Sequence, residues 1–151
     1  MPIVRLYAKQ GWLPEMHLPI PDPLPPQMLF TQWLIREVQE IVPVALNEID
    51  GTQLEPKDVI VLPQLVHPWT PPNLSEVWLD IQPDDKAATY AQRQARIARI
   101  RTNILDILLD SMKHAWNGPR PSLDCEVHPI MCSGYTVDNL GTITASWGDV
   151  L

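Results

Sequence analysis

The sequence predicts an α+β domain in which two strand-helix-strand halves share one sheet, and three observations carry that prediction. The chain opens on a short alternating segment, Val4, Leu6 and Ala8 against Arg5, Tyr7 and Lys9, which is the period of a strand with one buried face. Two long stretches, one starting near Pro26 and one running to Trp116, repeat apolar residues at helical spacing. Between and after them stand β-branched runs of strand length. The order is β-α-β-β-α-β, followed by a terminal hairpin. Right-handed crossovers would lay both helices on one face of a single sheet and leave the other face in need of a cover.

The first strand covers Met1 to Lys9, and Gly11 ends it. From about residue 14 to 26, six of thirteen residues are proline. Such a run cannot donate ladder hydrogen bonds and favours extended polyproline geometry, so it reads as a stiff connector. Pro25 and Pro26 suit a helix's first turn, where a missing N–H costs nothing. Phe30, Leu34, Val38, Ile41 and Ala45 then form one apolar stripe. Pro43 should end or kink this helix, and Asp50-Gly51 turns the chain.

Asp58 to Val66 is almost unbroken in its apolar and β-branched character, as in a central strand covered on both faces, although Pro63 demands a bulge or a sheet edge. His67 to Asn73 is a loop, and Val77, Leu79 and Ile81 point inward from the next strand. Asp84-Asp85 offers an N-cap for a long helix from about Lys86 to Trp116, with Tyr90, Ile97, Ile100, Ile104, Ile107, Leu108 and Met112 as its core stripe. Asn117-Gly118-Pro119 stops it. Leu123 to Cys132 is a fourth strand, and residues 135–147 form a hairpin relaxed by Gly141.

Composition narrows the function classes. At 151 residues, the chain reads as a single domain over 1–151. Eleven Lys and Arg against eighteen Asp and Glu give 11 − 18 = −7, which argues against a nucleic-acid partner. Two cysteines, Cys125 and Cys132, are too few for a disulfide framework and suit a reducing, cytoplasmic setting. No apolar run reaches the ~18 residues of a membrane span, and no signal segment opens the chain.

Removal of Met1 would turn Pro2 into a terminal secondary amine, able to act as a base when burial disfavours its charged form. Other groups compete for attention. His128, two residues beyond Glu126 on one strand face, is a candidate for lining a site. So are His67 and Trp69, on the loop after a strand. Arg5 is a candidate carboxylate clamp, on the face opposite Leu6. Cys125, Glu126, His128 and Cys132 do not make a metal site, because alternation sends Cys125 and His128 to opposite faces. Arg93, Arg96 and Arg99 share one helix side, read as a solvated face rather than an RNA surface.

Two βαβ halves, a proline after the initiator Met and an uncovered sheet face together resemble the tautomerase superfamily, which includes macrophage migration inhibitory factor and 5-carboxymethyl-2-hydroxymuconate isomerase, and the long second helix looks more like the isomerase. The resemblance implies a homotrimer with sheets packed face to face, no cofactor, and Pro2 shuttling a proton on a small carboxylate or 2-keto acid. It also implies a cation near the second main strand, which Lys57 matches after a small shift. The family's glycine-bearing segment after that strand is replaced by His67-Pro68-Trp69-Thr70-Pro71-Pro72. The alternative is a non-catalytic oligomeric interaction protein on the same scaffold.

Overall fold

The computed structural model describes residues 1–9, 11–14, 19–65, 75–129, 135–137 and 143–145. Its elements are β1 (Ile3–Ala8), α1 (Pro26–Asp50), a 3₁₀ turn (Pro56–Asp58), β2 (Ile60–Leu65), β3 (Val77–Gln82), α2 (Tyr90–Ala115), β4 (Leu123–Val127), β5 (Tyr135–Val137) and β6 (Ile143–Ala145). Four strands make a mixed sheet in the order β2-β1-β3-β4. β1 pairs parallel with β2 and β3 parallel with β4, while β1 and β3 run antiparallel at the centre. Each half is thus a strand-helix-strand unit, and the two meet about an approximate two-fold axis between β1 and β3. β5 and β6 pair as a separate antiparallel ribbon. No described helix is long and apolar enough to cross a membrane.

The expected inward sets are the buried ones. Val4, Leu6 and Ala8 of β1 and Val77, Leu79 and Ile81 of β3 are fully buried, under Phe30, Leu34, Val38 and Ala45 of α1 and Ile100, Ile104 and Leu108 of α2. An aromatic knot closes one end of this core: Phe30 contacts Trp12, Trp33 and Trp116 with ring centroids 5.4–5.7 Å apart. Trp12 is held by its indole N–H donating to Glu76 Oε2 at 2.9 Å, and its carbonyl accepts the buried Thr31 hydroxyl.

Three expectations are corrected. β2 is an edge strand, not a central one, and its register explains Pro63. The Ile60 N–H donates to the Pro2 carbonyl at 3.0 Å, so even-numbered residues bond to β1 and odd-numbered ones face outward. Pro63 therefore stands where a missing N–H removes no ladder bond.

Pro43 neither ends nor interrupts α1, which continues to Asp50 with Pro43 buried. An interior proline costs about 3 kcal/mol, and packing of the stripe on both sides of it outweighs that. Gly51, at φ 66°, caps the helix with its N–H on the Asn47 carbonyl.

α2 starts at Tyr90 rather than Lys86 because both aspartates are used elsewhere. Asp84 meets the Met1 ammonium and Asp85 pairs with Arg93. Thr89 caps instead, accepting the Gln92 N–H at 3.2 Å, while Gln92 Oε1 accepts the Ala88 N–H at 3.2 Å, a pairing close to a capping box. Tyr90 and Ile107, assigned to the core stripe, are exposed.

Candidate active site at the amino-terminal end of β1

The sheet topology gathers four chain segments at one end. β1 and β2 begin there, and β3 and β4 end there, because Ile3 pairs with both Ile60 and Gln82 and Ile81 pairs with Val127. Pro2, the 3₁₀ turn carrying Lys57, the Pro83-Asp84 segment and His128 all lie at that end.

Pro2 is buried, in the same alternation as Val4 and Leu6, and its carbonyl is fixed by the Ile60 N–H. The Met1 ammonium points to Asp84, at 3.3 Å from Oδ1 and 3.2 Å from Oδ2. Lys57 sits in a turn closed by the Asp58 N–H on the Glu55 carbonyl and the Glu55 N–H on Asp58 Oδ2. Among the described residues its ammonium meets Glu55 Oε2, at 3.1 Å, with both side chains well exposed. A surface pair of this kind contributes at most about 1 kcal/mol, so Lys57 can turn to another anion at little cost.

His128 extends the β4 ladder by one bond, its N–H donating to the Ile81 carbonyl at 2.8 Å. Val127 is buried, so the imidazole falls on the helix-free face, where Nδ1 lies 2.7 Å from Asp80 Oδ1. Asp80 is mostly buried and also accepts Gln82 Nε2 at 3.1 Å. A carboxylate held at one ring nitrogen fixes the orientation of an imidazole, and Nε2 is left 3.6 Å from Glu126 Oε2.

Of the expected site residues, Pro2, Lys57 and His128 are brought to one end of the sheet. His67 and Trp69 lie outside the described residues. Arg5 occupies the helix-free face, on the opposite side of β1 from the Val4 and Leu6 row. Two neighbours of the candidate site escaped the sequence reading. Asp80 and Asp84 reach His128 and the terminus across strands, and only the β1-β3-β4 register reveals them. Cys125 is fully buried, and desolvation pushes its thiol up to about 11, which removes it from nucleophilic chemistry at neutral pH. Two of the three arginines read as a solvated face are not solvated: Arg93 is tied to Asp85 at 3.0 Å and Arg96 to Asp50 at 2.8 Å, all four side chains nearly buried, while Arg99 is exposed as expected.

No family model and no curated protein matches the sequence. Among solved structures, a crystal structure of native Ps01740 aligns with a TM-score of 0.48 at 15% identity, covering 87% of this chain and 96% of the other. The crystal structure of N1, a member of the cis-3-chloroacrylic acid dehalogenase family, aligns with a TM-score of 0.44 at 13% identity, over 98% of this chain and 87% of that one. At such identities, the chemistry of the site has to be argued from its own residues.

Proposed function

We propose that the protein is a cofactor-free keto-enol tautomerase or isomerase of small carboxylates or 2-keto acids, working as a homotrimer with the Pro2 amine as its proton carrier. The observation that supports this most is the buried position of Pro2 at the head of a central strand, with Lys57 and His128 at the same end of the sheet.

Removal of Met1 frees a secondary amine there. Burial disfavours its charged form and keeps part of the population neutral near pH 7. The neutral amine takes the acidic proton from a carbon next to a carbonyl, the electron pair moves into a dienolate, and the resulting ammonium returns a proton at another carbon. Such transfers need the amine within about 2.6–3.2 Å of the proton's carbon-side position. The developing oxyanion requires a donor at the head of β1; His128 shares that end of the sheet but lies on the helix-free face, opposite the row of Val4 and Leu6 that Pro2 continues, and is not assigned that role. Lys57, weakly held by Glu55, is the cation available for the substrate's carboxylate. Proton transfer of this kind involves no electron acceptor and no metal, so no cofactor is called for.

The test is ketonisation of phenylenolpyruvate or 2-hydroxymuconate by the Met1-free chain and by Pro2→Ala. The reading expects a loss of about a hundredfold or more in the variant, the usual contribution of a positioned acid-base group. Equal rates would remove Pro2 from the chemistry. An oligomer without turnover would leave a non-catalytic interaction protein as the better account, and the apolar residues of the helix-free face favour that second reading.

A further inference from the structure

Two adjacent aspartates follow β3, and the fold uses them differently. Asp85 is turned inward: its Oδ2 accepts Arg93 Nε at 3.1 Å and pairs with Arg93 Nη2 at 3.0 Å, and its Oδ1 accepts the Ala87 N–H at 3.2 Å. Asp84 has no such role. Thr89 caps α2 in its place. Among the described residues the Asp84 carboxylate meets the terminal ammonium alone, at 3.3 Å from Oδ1 and 3.2 Å from Oδ2. The two side chains are 57% and 47% exposed, so the pair adds little to stability. The carboxylate is aimed at the terminus and is not needed to hold the fold.

Register keeps that aim when Met1 is gone. Ile3 pairs with Gln82, so the residues before Ile3 run alongside those after Gln82. On the other side, the Pro2 carbonyl is held by the Ile60 N–H at 3.0 Å, a contact that does not involve Met1. The Pro2 nitrogen is three bonds from the Met1 nitrogen, a span of at most ~3.7 Å at standard bond lengths, which puts the Asp84 oxygens within roughly 7 Å of it before any side-chain rotation. The other charged groups near this end are already matched. Arg93 holds Asp85, Arg96 holds Asp50 with Lys86 and Arg99 acting on the same carboxylate, and Lys57 meets Glu55. Asp58 accepts the Glu55 N–H. His128, with Asp80 and Glu126, stands on the helix-free face, opposite the row that Pro2 continues.

We propose that Asp84 is a positioning residue for the Pro2 amine: once Met1 is removed, its carboxylate becomes the counter-ion of the Pro2 ammonium and sets the pH range in which the neutral base is present. Its catalytic meaning rests on the Pro2 reading above, while the ion pair itself needs no turnover. Burial and Asp84 act on the amine with opposite signs. Desolvation favours the neutral form and lowers the pKa, whereas a nearby carboxylate favours the charged form and raises it. After the proton is taken from carbon, the same carboxylate stabilises the ammonium that carries it to the second carbon. Neutralising Asp84 therefore lowers the pKa of the amine, giving more free base on the acid side of the profile and a weaker base on the alkaline side.

The test is an NMR titration of the Pro2 ring carbons in the Met1-free full-length chain, made with isotope-labelled proline, for wild type, Asp84→Asn and Asp84→Glu. The pH profile of kcat/KM for phenylenolpyruvate ketonisation is measured beside it. The expected result is a midpoint lower by about half to one pH unit in Asp84→Asn and restored in Asp84→Glu, which keeps the charge, with the acid limb of the rate profile moving by the same amount. In about 1 M salt, where the Debye length is ~3 Å, the wild-type midpoint should approach that of Asp84→Asn. A midpoint that moves by less than about 0.2 pH unit in Asp84→Asn, or that Asp84→Glu does not restore, would overturn the proposal and leave the Pro2 reading to its own test. The full shift without turnover in any form would uphold the ion pair and remove the tautomerase reading instead.

Discussion

Asp50→Ala should be among the most damaging single changes at a charged position. Asp50 closes α1 and receives Arg96 of α2 through two hydrogen bonds, Nε to Oδ1 and Nη2 to Oδ2, both 2.8 Å long. The two side chains are 9% and 10% exposed, so neither charge can return to water without moving the helices apart. Truncating the carboxylate leaves a buried guanidinium without its counter-ion, a loss of about 3–5 kcal/mol. For a chain of this size, each kcal/mol corresponds to roughly 2–4 °C in melting temperature. Thermal unfolding at pH 7 should therefore fall by about 6 °C at the least, the lower bound of both ranges.

The pH dependence has a definite sign. The hydrogen bond from Arg96 holds the Asp50 carboxyl below its ordinary value of 3.8. A carboxyl depressed on folding contributes stability above its unfolded value and loses it as pH falls through the folded one. The gap between wild type and Asp50→Asn should thus be constant from pH 5 to 7, about two units across which the carboxylate stays ionised, and shrink below about pH 4. Arg96 Nη1 is buried without a partner, so Asp50→Leu with Arg96→Met should recover most of the loss. A fall of less than about 2 °C, or a gap that does not change on acidification, would refute the reasoning.

Two further outcomes follow from the core. Phe30→Ala opens a cavity among Trp12, Trp33 and Trp116 and should cost about 3–5 kcal/mol in urea unfolding, with a change in tryptophan fluorescence; a cost under about 1 kcal/mol would mean that the knot is not packed as described. Cys125 should resist iodoacetamide at pH 8 in the native chain and react once unfolded, as read by peptide-resolved mass spectrometry, because burial holds its thiol at about 11. Labelling of Cys125 in the native chain at the unfolded rate would contradict its burial.

Periodicity was a good guide wherever a residue's fate depended on its own element. The alternation in β1 and β3 and the five-residue stripe of α1 foretold the buried sets, since one face of each meets the core. It failed where a partner distant in sequence decided. Asp84 and Asp85 have the chemistry of an N-cap, yet Met1 and Arg93 claim them, and Thr89 with Gln92 takes over. Of the three α2 arginines at helical spacing, Arg93 and Arg96 look solvated until Asp85 and Asp50 arrive from other segments, whereas Arg99 is exposed. The apolar run in β2 suggested burial on both faces, while Pro63 already pointed to an edge, and the edge prevailed.

The candidate site divides in the same way. Pro2 was legible from its position after Met1, and His128 from its strand parity. Asp80, which orients that histidine, was not, because it belongs to a neighbouring strand and becomes a partner only through register. The Arg5 side chain was placed correctly on the face opposite Leu6, while its register partner Asp80 proved to be committed to His128 and Gln82.

The most direct test of the Pro2 account compares two preparations of one sequence, one with Met1 retained and one with it removed, each verified by intact mass. Sheet, helices and side chains are common to both, so only the terminal secondary amine differs. The account predicts that the Met1-free chain ketonises 2-hydroxymuconate or phenylenolpyruvate and that the Met1-bearing chain does not. Equal turnover in the two preparations would contradict it.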